Sequence, residues 1–175
     1  DRSGKIDTKF ETARLRVKDN IMPELVIAWS NETEGGDDIV ITQRDVREIQ
    51  LAKAAIYTGA SILMNKMRVT AADIKHVFIA GAFGTYVDPR SAKVIGMYPD
   101  VPLDRVKFVG NAAGSGARMA LTSVKARKLA EEIRAKVEYL ELGADPEFEE
   151  EFTKALFFPH LELDRFPNVR RMLGL

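Results

Sequence analysis

Cysteine is absent from the 175 residues of this chain. Disulfide bonds, zinc–thiolate sites and cysteine-ligated iron–sulfur clusters are therefore excluded within it, and a reducing cytoplasm is the expected compartment. Histidine is almost as scarce, because only His76 and His160 are present, and they lie too far apart in the sequence to show the spacing of metal ligands. The sequence therefore predicts no metal site.

Net charge and long apolar runs are also missing. The 26 basic residues balance the 26 acidic ones, so nothing in the charge favours a nucleic acid or an acidic membrane as a partner. No apolar run approaches the roughly 20 residues that span a bilayer, and no signal peptide opens the chain. What is present is an ordinary globular composition, 46% hydrophobic and 30% charged, in a chain long enough to bury a core.

The N-terminal part of the chain is predicted to be rich in β-structure. Its opening residues, Asp1–Lys5, are typical of a turn inside a protein, and no initiator Met precedes them, so we expect a fragment of a longer protein. Short apolar strands separated by polar turns are predicted at 15–17, 25–29 and 39–41.

A helix from about Gln43 to Met67 is the strongest predicted element. Thr42 and Asp45 predict its capping box. Its buried face is predicted from apolar residues at helical spacing, namely Val46, Ile49, Ile56, Ala60, Leu63 and Met67. Lys53 falls inside this stripe. Either its stem covers apolar surface while its ammonium reaches water, which periodicity favours, or the ammonium meets a ligand oxygen together with Gln50.

Two glycine-rich turns each follow a short apolar strand. The strand 77–80 runs into AGAFG, and the strand 106–109 runs into GNAAGSG, with a helix expected after each turn. This order indicates a parallel α/β unit, in which both turns lie at the edge of the sheet where ligands bind. Backbone amides could there approach a base, a ribose or a phosphate. Tight packing of each turn against its helix is the alternative, and the residues support the two equally.

The pattern of these turns limits the kind of site. Neither the GxGxxG motif of dinucleotide-binding folds nor a P-loop motif is present, so both classes fit poorly. Three aspartates, Asp88, Asp100 and Asp104, are explained as turn or capping residues. No convincing general base, nucleophile or carboxylate pair remains, so no catalytic residue is assigned.

The last part of the chain is predicted to alternate helix and strand. Ser123 begins a helix, residues 137–142 alternate with the period of a half-buried edge strand, and a further helix starts at Asp145-Pro146. The tail after it is expected to wrap the domain or to meet a partner. These patterns divide the chain into a β-rich segment, an α/β nucleotide-binding core and a C-terminal helix–strand–helix extension, at 1–42, 43–125 and 126–175.

Several blocks of the sequence resemble one protein family. VFIAGAFGTYVDPRSAKVIGMYPDVPLDRVKFVGNAAGSGARMAL, ITQRDVREIQLAKAAIYTGASIL and YLELGADPEFEEEF are similar to the C-terminal domain of ATP-dependent reductive activators of corrinoid proteins, and the resemblance covers residues 39–166. That family belongs to the superfamily of acetate and sugar kinases, heat-shock chaperones and actin. The resemblance therefore implies an α/β fold, a ribonuclease-H-like lobe with a mixed sheet flanked by helices.

The resemblance also implies site residues. The adenosine motif of the superfamily, a strand ending in a Gly-Gly-Ala-type turn, corresponds to 80–84, with alanine where a second adjacent glycine is usual. The chaperone branch carries Glu-x-x-Lys on the preceding helix, and this chain has Gln-Leu-Ala-Lys at 50–53. Contacts near the base are thus expected from Gly81, Ala82, Phe83, Gly84 and Asn111, and contacts near the ribose from Gln50 and Lys53.

For the whole protein, the resemblance implies ATP with Mg as cofactor and a corrinoid protein as partner. ATP would be coupled to the one-electron reduction of a cobalt(II) corrinoid on a methyltransferase partner, with the electron coming from an iron–sulfur cluster in an N-terminal domain absent from this chain. The superfamily's phosphate-binding loops are not recognisable here, so the fragment is expected to be inactive alone. Two alternatives stay open: a non-catalytic dimerisation or partner-binding module, and a lobe of a sugar or acid kinase relative. A homodimer also stays open.

Overall fold

The computed structural model describes residues 1–18, 22–81 and 86–175. Within these ranges the strands are β1 Leu15–Lys18, β2 Met22–Ala28, β3 Ile39–Thr42, β4 Val77–Ala80 and β5 Val106–Gly110. The helices are α1 Gln43–Met67, α2 Pro89–Val94, α3 Ala112–Thr122, α4 Val124–Arg134, α5 Phe148–Ala155 and α6 Pro167–Leu173. None of these helices combines the length and the apolar character that a membrane crossing requires.

The first three strands form an antiparallel sheet in the order β1-β2-β3. Leu25 of the central strand pairs with Leu15 on one side and with Ile41 on the other. Val26 is fully buried, while its neighbour Ile27 is 47% exposed, so one face of the sheet carries the packing. The predicted β-rich start of the chain is confirmed.

Helix α1 begins and ends at the predicted residues. Thr42 is its N-cap, with the Thr42 Oγ1 atom accepting from Asp45 N and the Thr42 N–H donating to Asp45 Oδ2 at 2.8 Å. Such a box satisfies two N–H groups that the first turn leaves without helical partners. Arg68 ends the helix in the left-handed conformation. Both ends are therefore determined by local sequence.

The predicted buried face of α1 is wrong. Ile49, Ile56, Leu63 and Met67 are 46–71% exposed in this chain. The buried residues lie on another face, which is largely polar and consists of Gln50, Lys53, Ala54, Tyr57, Thr58, Gly59, Ser61 and Ile62. Hydrophobic periodicity failed because the polar side chains of this face find partners in distant parts of the chain, which lets them be buried.

Helices α5 and α6 cover this face of α1. Tyr57 packs against Phe166 with ring centroids 5.3 Å apart, and Ala54, Ala155 and Val169 complete a buried cluster. Phe166 and Val169 belong to the C-terminal tail, so the tail wraps onto the domain. This is one of the two expectations for the tail, the other being contact with a partner. The predicted last helix is α5, which begins at Phe148 rather than at the Asp145-Pro146 pair, and α6 follows it.

The second apolar cluster lies on one face of a parallel pair, β4 and β5. Val77, Ile79 and Val106 pack there against the buried Ala92, Tyr98 and Val101. The parallel α/β unit is confirmed. The apolar run 77–80 suits a strand covered on both faces, but in this chain β4 is covered on one face, because Phe78 is 62% exposed on the opposite face. An apolar run shows that both faces of a strand can be buried, but it does not show that another element packs against each face.

Polar contacts connect the second cluster to the tail. Asp100 pairs with Lys93 at 2.9 Å inside the protein, and its other oxygen accepts from the N–H of Asn168 at 2.6 Å, in the first turn of α6. Asp100 therefore has a structural role across the chain and does not cap its own turn. Asp88 does cap the following helix, since its carboxylate accepts from Ser91 N at 2.7 Å.

The strand predicted at 137–142 is absent. Residues 137–141 form no ladder with any described strand, and 142–144 form a short 3-10 turn. Alternation of apolar and polar residues indicates how a segment could pair, but pairing also needs a neighbouring sheet edge, which these residues do not meet in this structure.

Gly96 offers a test of how the tail is fixed to the second cluster. It adopts φ +76°, and a Cβ atom there would lie 2.1 Å from the carbonyl oxygen of Pro159. Gly36 is a matched control, with φ +70° and no atom within 4 Å of such a Cβ. We expect Gly36→Ala to lower the free energy of unfolding by about 1–2 kcal/mol through backbone strain alone, and Gly96→Ala to lower it clearly more. Urea unfolding of both variants would measure this, and equal losses would contradict the close packing on Pro159.

Candidate functional site

The carboxyl ends of β4 and β5 meet at one edge of their sheet. Val77 pairs with Val106 and Ala80 with Gly110, so the residues that follow each strand emerge side by side. The N–H of Gly81 donates to the carbonyl oxygen of Gly110 at 2.7 Å, which joins the two turns directly. This is the edge at which parallel sheets bind ligands.

Among the described residues, nothing fills the space beside the two glycines of this edge. Gly81 and Gly110 have positive φ angles of +85° and +58°, and a Cβ atom on either would meet no described atom within 4 Å. A left-handed backbone favours glycine. The same glycines leave room for a ligand to come close to the backbone.

Asn111 stands at the start of helix α3 on this edge. Its Oδ1 atom accepts from the N–H of Gly114 at 2.9 Å, which makes it the N-cap. The predicted seven-residue turn 110–116 is therefore wrong in extent, because α3 begins at Ala112 and the later glycines lie inside the helix. Asparagine is a strong N-cap, and this signal outweighed the glycines. The N-terminus of α3 carries the partial positive charge that attracts anions.

Three of the predicted contacts, Ala82, Phe83 and Gly84, lie outside the described residues. Nothing about their contacts enters the description of the site, and their role stays a prediction.

Gln50 is buried against two other segments. Its Nε2 group donates to the carbonyl oxygens of Ser3, at 3.0 Å, and of Leu156, at 2.7 Å. It also lines a cleft of about 720 Å³ between the N-terminal residues and α1. The amide nitrogen of Gln50 is thus engaged within the protein.

Lys53 is fully buried, so the interpretation that its ammonium reaches water is wrong. Its Nζ donates to the carbonyl oxygens of Phe157 and Pro159, and the ring of Phe158 lies 5.4 Å from it. Burial lowers the pKa of Lys53 from 10.5 to about 7. Two of the hydrogen bonds that Lys53 Nζ can donate are thus made within the protein.

The predicted site residues thus fall into two groups. Gly81 and Asn111 lie at the open edge of the β4–β5 sheet, while Gln50 and Lys53 hold the segment 156–159 on α1. No hydrogen bond among the described residues links one group to the other. The nucleotide role of each residue stays a prediction.

Sequence reasoning missed a buried polar cluster beside Lys53. Glu151 accepts from Ser61 Oγ at 2.7 Å and pairs with Arg165, and its Oε1 atom lies 3.9 Å from Nε2 of the fully buried His160. Burial lowers the pKa of His160 to about 4, so it is neutral at physiological pH. Acids in the first turn of a helix suit the helix dipole, and no spacing in the sequence distinguishes Glu151 from its neighbours Glu149 and Glu150.

Among the residues that the structure describes, no group of three or more histidines and acidic residues could hold a metal ion. The fold defines an α/β domain whose parallel strands β4 and β5 end together at one sheet edge.

Comparisons with known proteins give the family. A family model described as the C-terminal domain of RACo, the ASKHA domain, matches residues 1–170. The corrinoid activation enzyme RamQ of Eubacterium limosum is 38% identical over 145 residues, which cover 83% of this chain and 24% of that enzyme. A solved structure of a reductive activator for a corrinoid, iron-sulfur protein superposes with a TM-score of 0.86 at 40% identity, over 96% of this chain and 27% of that one.

The chain belongs to the family of C-terminal ASKHA domains of RACo. The name ASKHA denotes the superfamily of acetate and sugar kinases, heat-shock proteins and actin. The predicted family and fold class are confirmed. The chain spans about a quarter of the length of the relatives that it matches.

The protonation of Lys53 provides a test of its burial. Between pH 7 and 10.5 the unfolded chain keeps a proton on Lys53 that the folded chain has released. The free energy of unfolding should therefore rise with pH across this window because of this residue. Urea unfolding at pH 7, 8 and 9 should show this rise for the wild type relative to Lys53→Met, which lacks the group. A pH-independent difference between the two proteins would contradict the depressed pKa.

Proposed function

We propose that this domain binds the adenosine part of ATP at the open edge of the β4–β5 sheet, in a protein that uses ATP to reactivate a corrinoid protein by reduction. The observation that supports the site is the joined pair Gly81 and Gly110, whose backbones no other described residue covers on the side where the strands end. The relatives named above support the reaction, since both are activators of corrinoid proteins.

The residues at this edge suit a nucleotide. Glycines at both strand ends let a flat base or a ribose approach the backbone. Asn111 uses Oδ1 to cap α3, so its Nδ2 group is the part that can donate to a base. The N–H groups of the first turn of α3 add donors and a favourable potential for negatively charged oxygens.

The proposed contacts of Gln50 and Lys53 with the ribose compete with hydrogen bonds that both side chains make inside the protein. Their nitrogen atoms already donate to carbonyl oxygens of the segment 156–159. Gln50 Oε1 accepts no hydrogen bond from the described residues and could receive one from a ribose hydroxyl. Because Lys53 is fully buried, a nucleotide could reach its Nζ only if the segment 157–159 moved away from it. Contact with Lys53 would therefore move the tail.

The remaining chemistry belongs to parts outside this chain. An iron–sulfur cluster would give one electron to cobalt(II), which becomes cobalt(I), and ATP with Mg would supply the free energy that favours the reactive arrangement. This chain has no cysteine to hold such a cluster. Its own residues would hold the nucleotide. The cytoplasm as compartment and a homodimer as assembly are parts of the same proposal.

Blocking the open edge tests the nucleotide site. Gly81→Leu places a side chain into the space where the base is expected, and we expect ATP affinity to fall at least ~10-fold, equivalent to about 1.4 kcal/mol. Gly36→Leu is the matched control, because Gly36 has a similar backbone conformation and equally open surroundings but lies in the loop before β3. Calorimetric titration of ATP into both variants and the wild type would measure the effect. Equal ATP affinity of all three proteins would contradict the site at this edge, and absence of binding in all three would argue for a domain that does not bind nucleotide.

The reaction is testable in a chimera. This chain replaces the matching region of the Eubacterium limosum activator, and the chimera is assayed with that enzyme's corrinoid protein. We expect cobalt(I) absorbance to form only with ATP, and more slowly when the chimera carries Gly81→Leu than when it carries Gly36→Leu. Cobalt(I) formation without ATP would contradict the proposed coupling, and no formation by a folded chimera would favour a module for partner binding alone.

A further inference from the structure

Charge is segregated along the second half of the chain. Helices α3 and α4, with the residues up to 136, are called the basic hairpin. Its only acids are Glu131 and Glu132, and its cations are Arg118, Lys125, Arg127, Lys128, Arg134 and Lys136. None of these cations has an acidic partner within 4 Å among the described residues. In a chain of zero net charge, this leaves one surface strongly positive.

The basic hairpin also exposes apolar residues. No residue of α3 or α4 is buried. The exposed fractions of its large apolar side chains are 60% for Met119, 77% for Leu121, 69% for Val124, 54% for Leu129 and 56% for Ile133. Apolar residues exposed together and bordered by charges are typical of an interaction surface. A groove of about 540 Å³ lies on α4, and its lining consists of Val124, Lys125, Lys128, Leu129 and Glu132.

The residues that follow have the opposite charge. Residues 138–151, called the acidic segment, contain seven acids and no base: Glu138, Glu141, Asp145, Glu147, Glu149, Glu150 and Glu151. Within the described parts of the chain, Glu138, Glu147 and Glu149 have no cation within 4 Å. At its start stands Tyr139, whose side chain is 84% exposed. The backbone of 138–140 enters no strand ladder.

We propose that the basic hairpin of one copy binds the acidic segment of a second copy, with Tyr139 of each copy in the α4 groove of the other. This inference rests on the homodimer included in the proposed function and names its surface. Both halves of the charge complementarity lie on this chain, and the cations of the hairpin pair with none of the described acids of their own copy. A second copy therefore supplies what each surface lacks, without net repulsion.

The arrangement closes on itself. Since each copy carries one basic hairpin and one acidic segment, a two-fold axis lets two copies use both surfaces of each, and no third copy is recruited. Tyrosine buried in a pocket is a common anchor of interfaces, while charges on the rim contribute more to specificity and association rate than to affinity. Tyr139 in the groove would supply most of the affinity. The charges would determine how the two copies are aligned relative to each other.

Charge reversal tests the hairpin. We expect the 175-residue chain to dimerise in sedimentation velocity at low salt, and to do so less at 0.5 M NaCl, where screening shortens the range of the charges. Lys125→Glu with Lys128→Glu should weaken dimerisation at least ~10-fold. Lys9→Glu with Lys75→Glu is the matched control, since it reverses two exposed cations elsewhere, and it should leave dimerisation unchanged. A monomer at all concentrations, or equal loss in both double variants, would overturn the inference.

Rescue tests the pairing of the two surfaces. Glu147→Lys with Glu149→Lys should abolish dimerisation alone, yet an equimolar mixture with the hairpin variant should dimerise, because each altered surface then meets a complementary one. Circular dichroism confirms that each variant is folded. Absence of a mixed dimer between folded variants would overturn the inference. Titration of ATP into the same variants separates the two proposals, since the reversed residues lie outside the nucleotide edge: ATP binding without dimers would refute the dimer surface alone.

Discussion

The described structure depends above all on the buried amino group of Lys53. It lies fully buried in the middle of α1, where the carbonyl oxygens of Phe157 and Pro159 accept its hydrogen bonds. Such a group is tolerated inside a protein only where acceptors replace the water that it has lost. Helix α1 and the segment 157–159 therefore fix each other. Arg2 reinforces the contact, since it donates to the carbonyl oxygen of His160 at 2.7 Å and thereby ties the N-terminal residues to the same segment.

The apolar packing follows from this polar contact. Once Pro159 is held on α1, the next residues bring Phe166 and Val169 onto Tyr57 and complete the first cluster. Pro159 also lies against Gly96, and Asn168 donates to Asp100, so the tail carries the second cluster as well. The two clusters are joined through backbone carbonyls and a buried ion pair. A polar face on α1 is thus the reason why the tail has one position.

Local features of the fold could be predicted from the sequence, and long-range ones could not. The limits of α1, the Asp88 cap and the start of α4 depend on residues about three positions apart, so the sequence shows them directly. The buried face of α1 depends on carbonyl groups about a hundred positions later. Hydrophobic periodicity counts apolar residues and cannot see such acceptors, so it placed Ile56 and Leu63 inside. The strand at 137–142 failed for a related reason, since its alternation specifies no partner edge.

The same distinction separates the two halves of the candidate site. Gly81 and Asn111 could be placed at one edge because the carboxyl ends of parallel strands always meet there. Lys53 could be placed on the correct helix, but its competing acceptors could not be foreseen. That competition has a consequence for coupling. A nucleotide held at the sheet edge alone would leave the tail in place, whereas a nucleotide that reached the buried Lys53 would have to displace the segment 157–159. Only contact with Lys53 would have a different binding free energy in two arrangements of the tail. A ligand shifts an equilibrium between two arrangements only when its binding free energy differs between them.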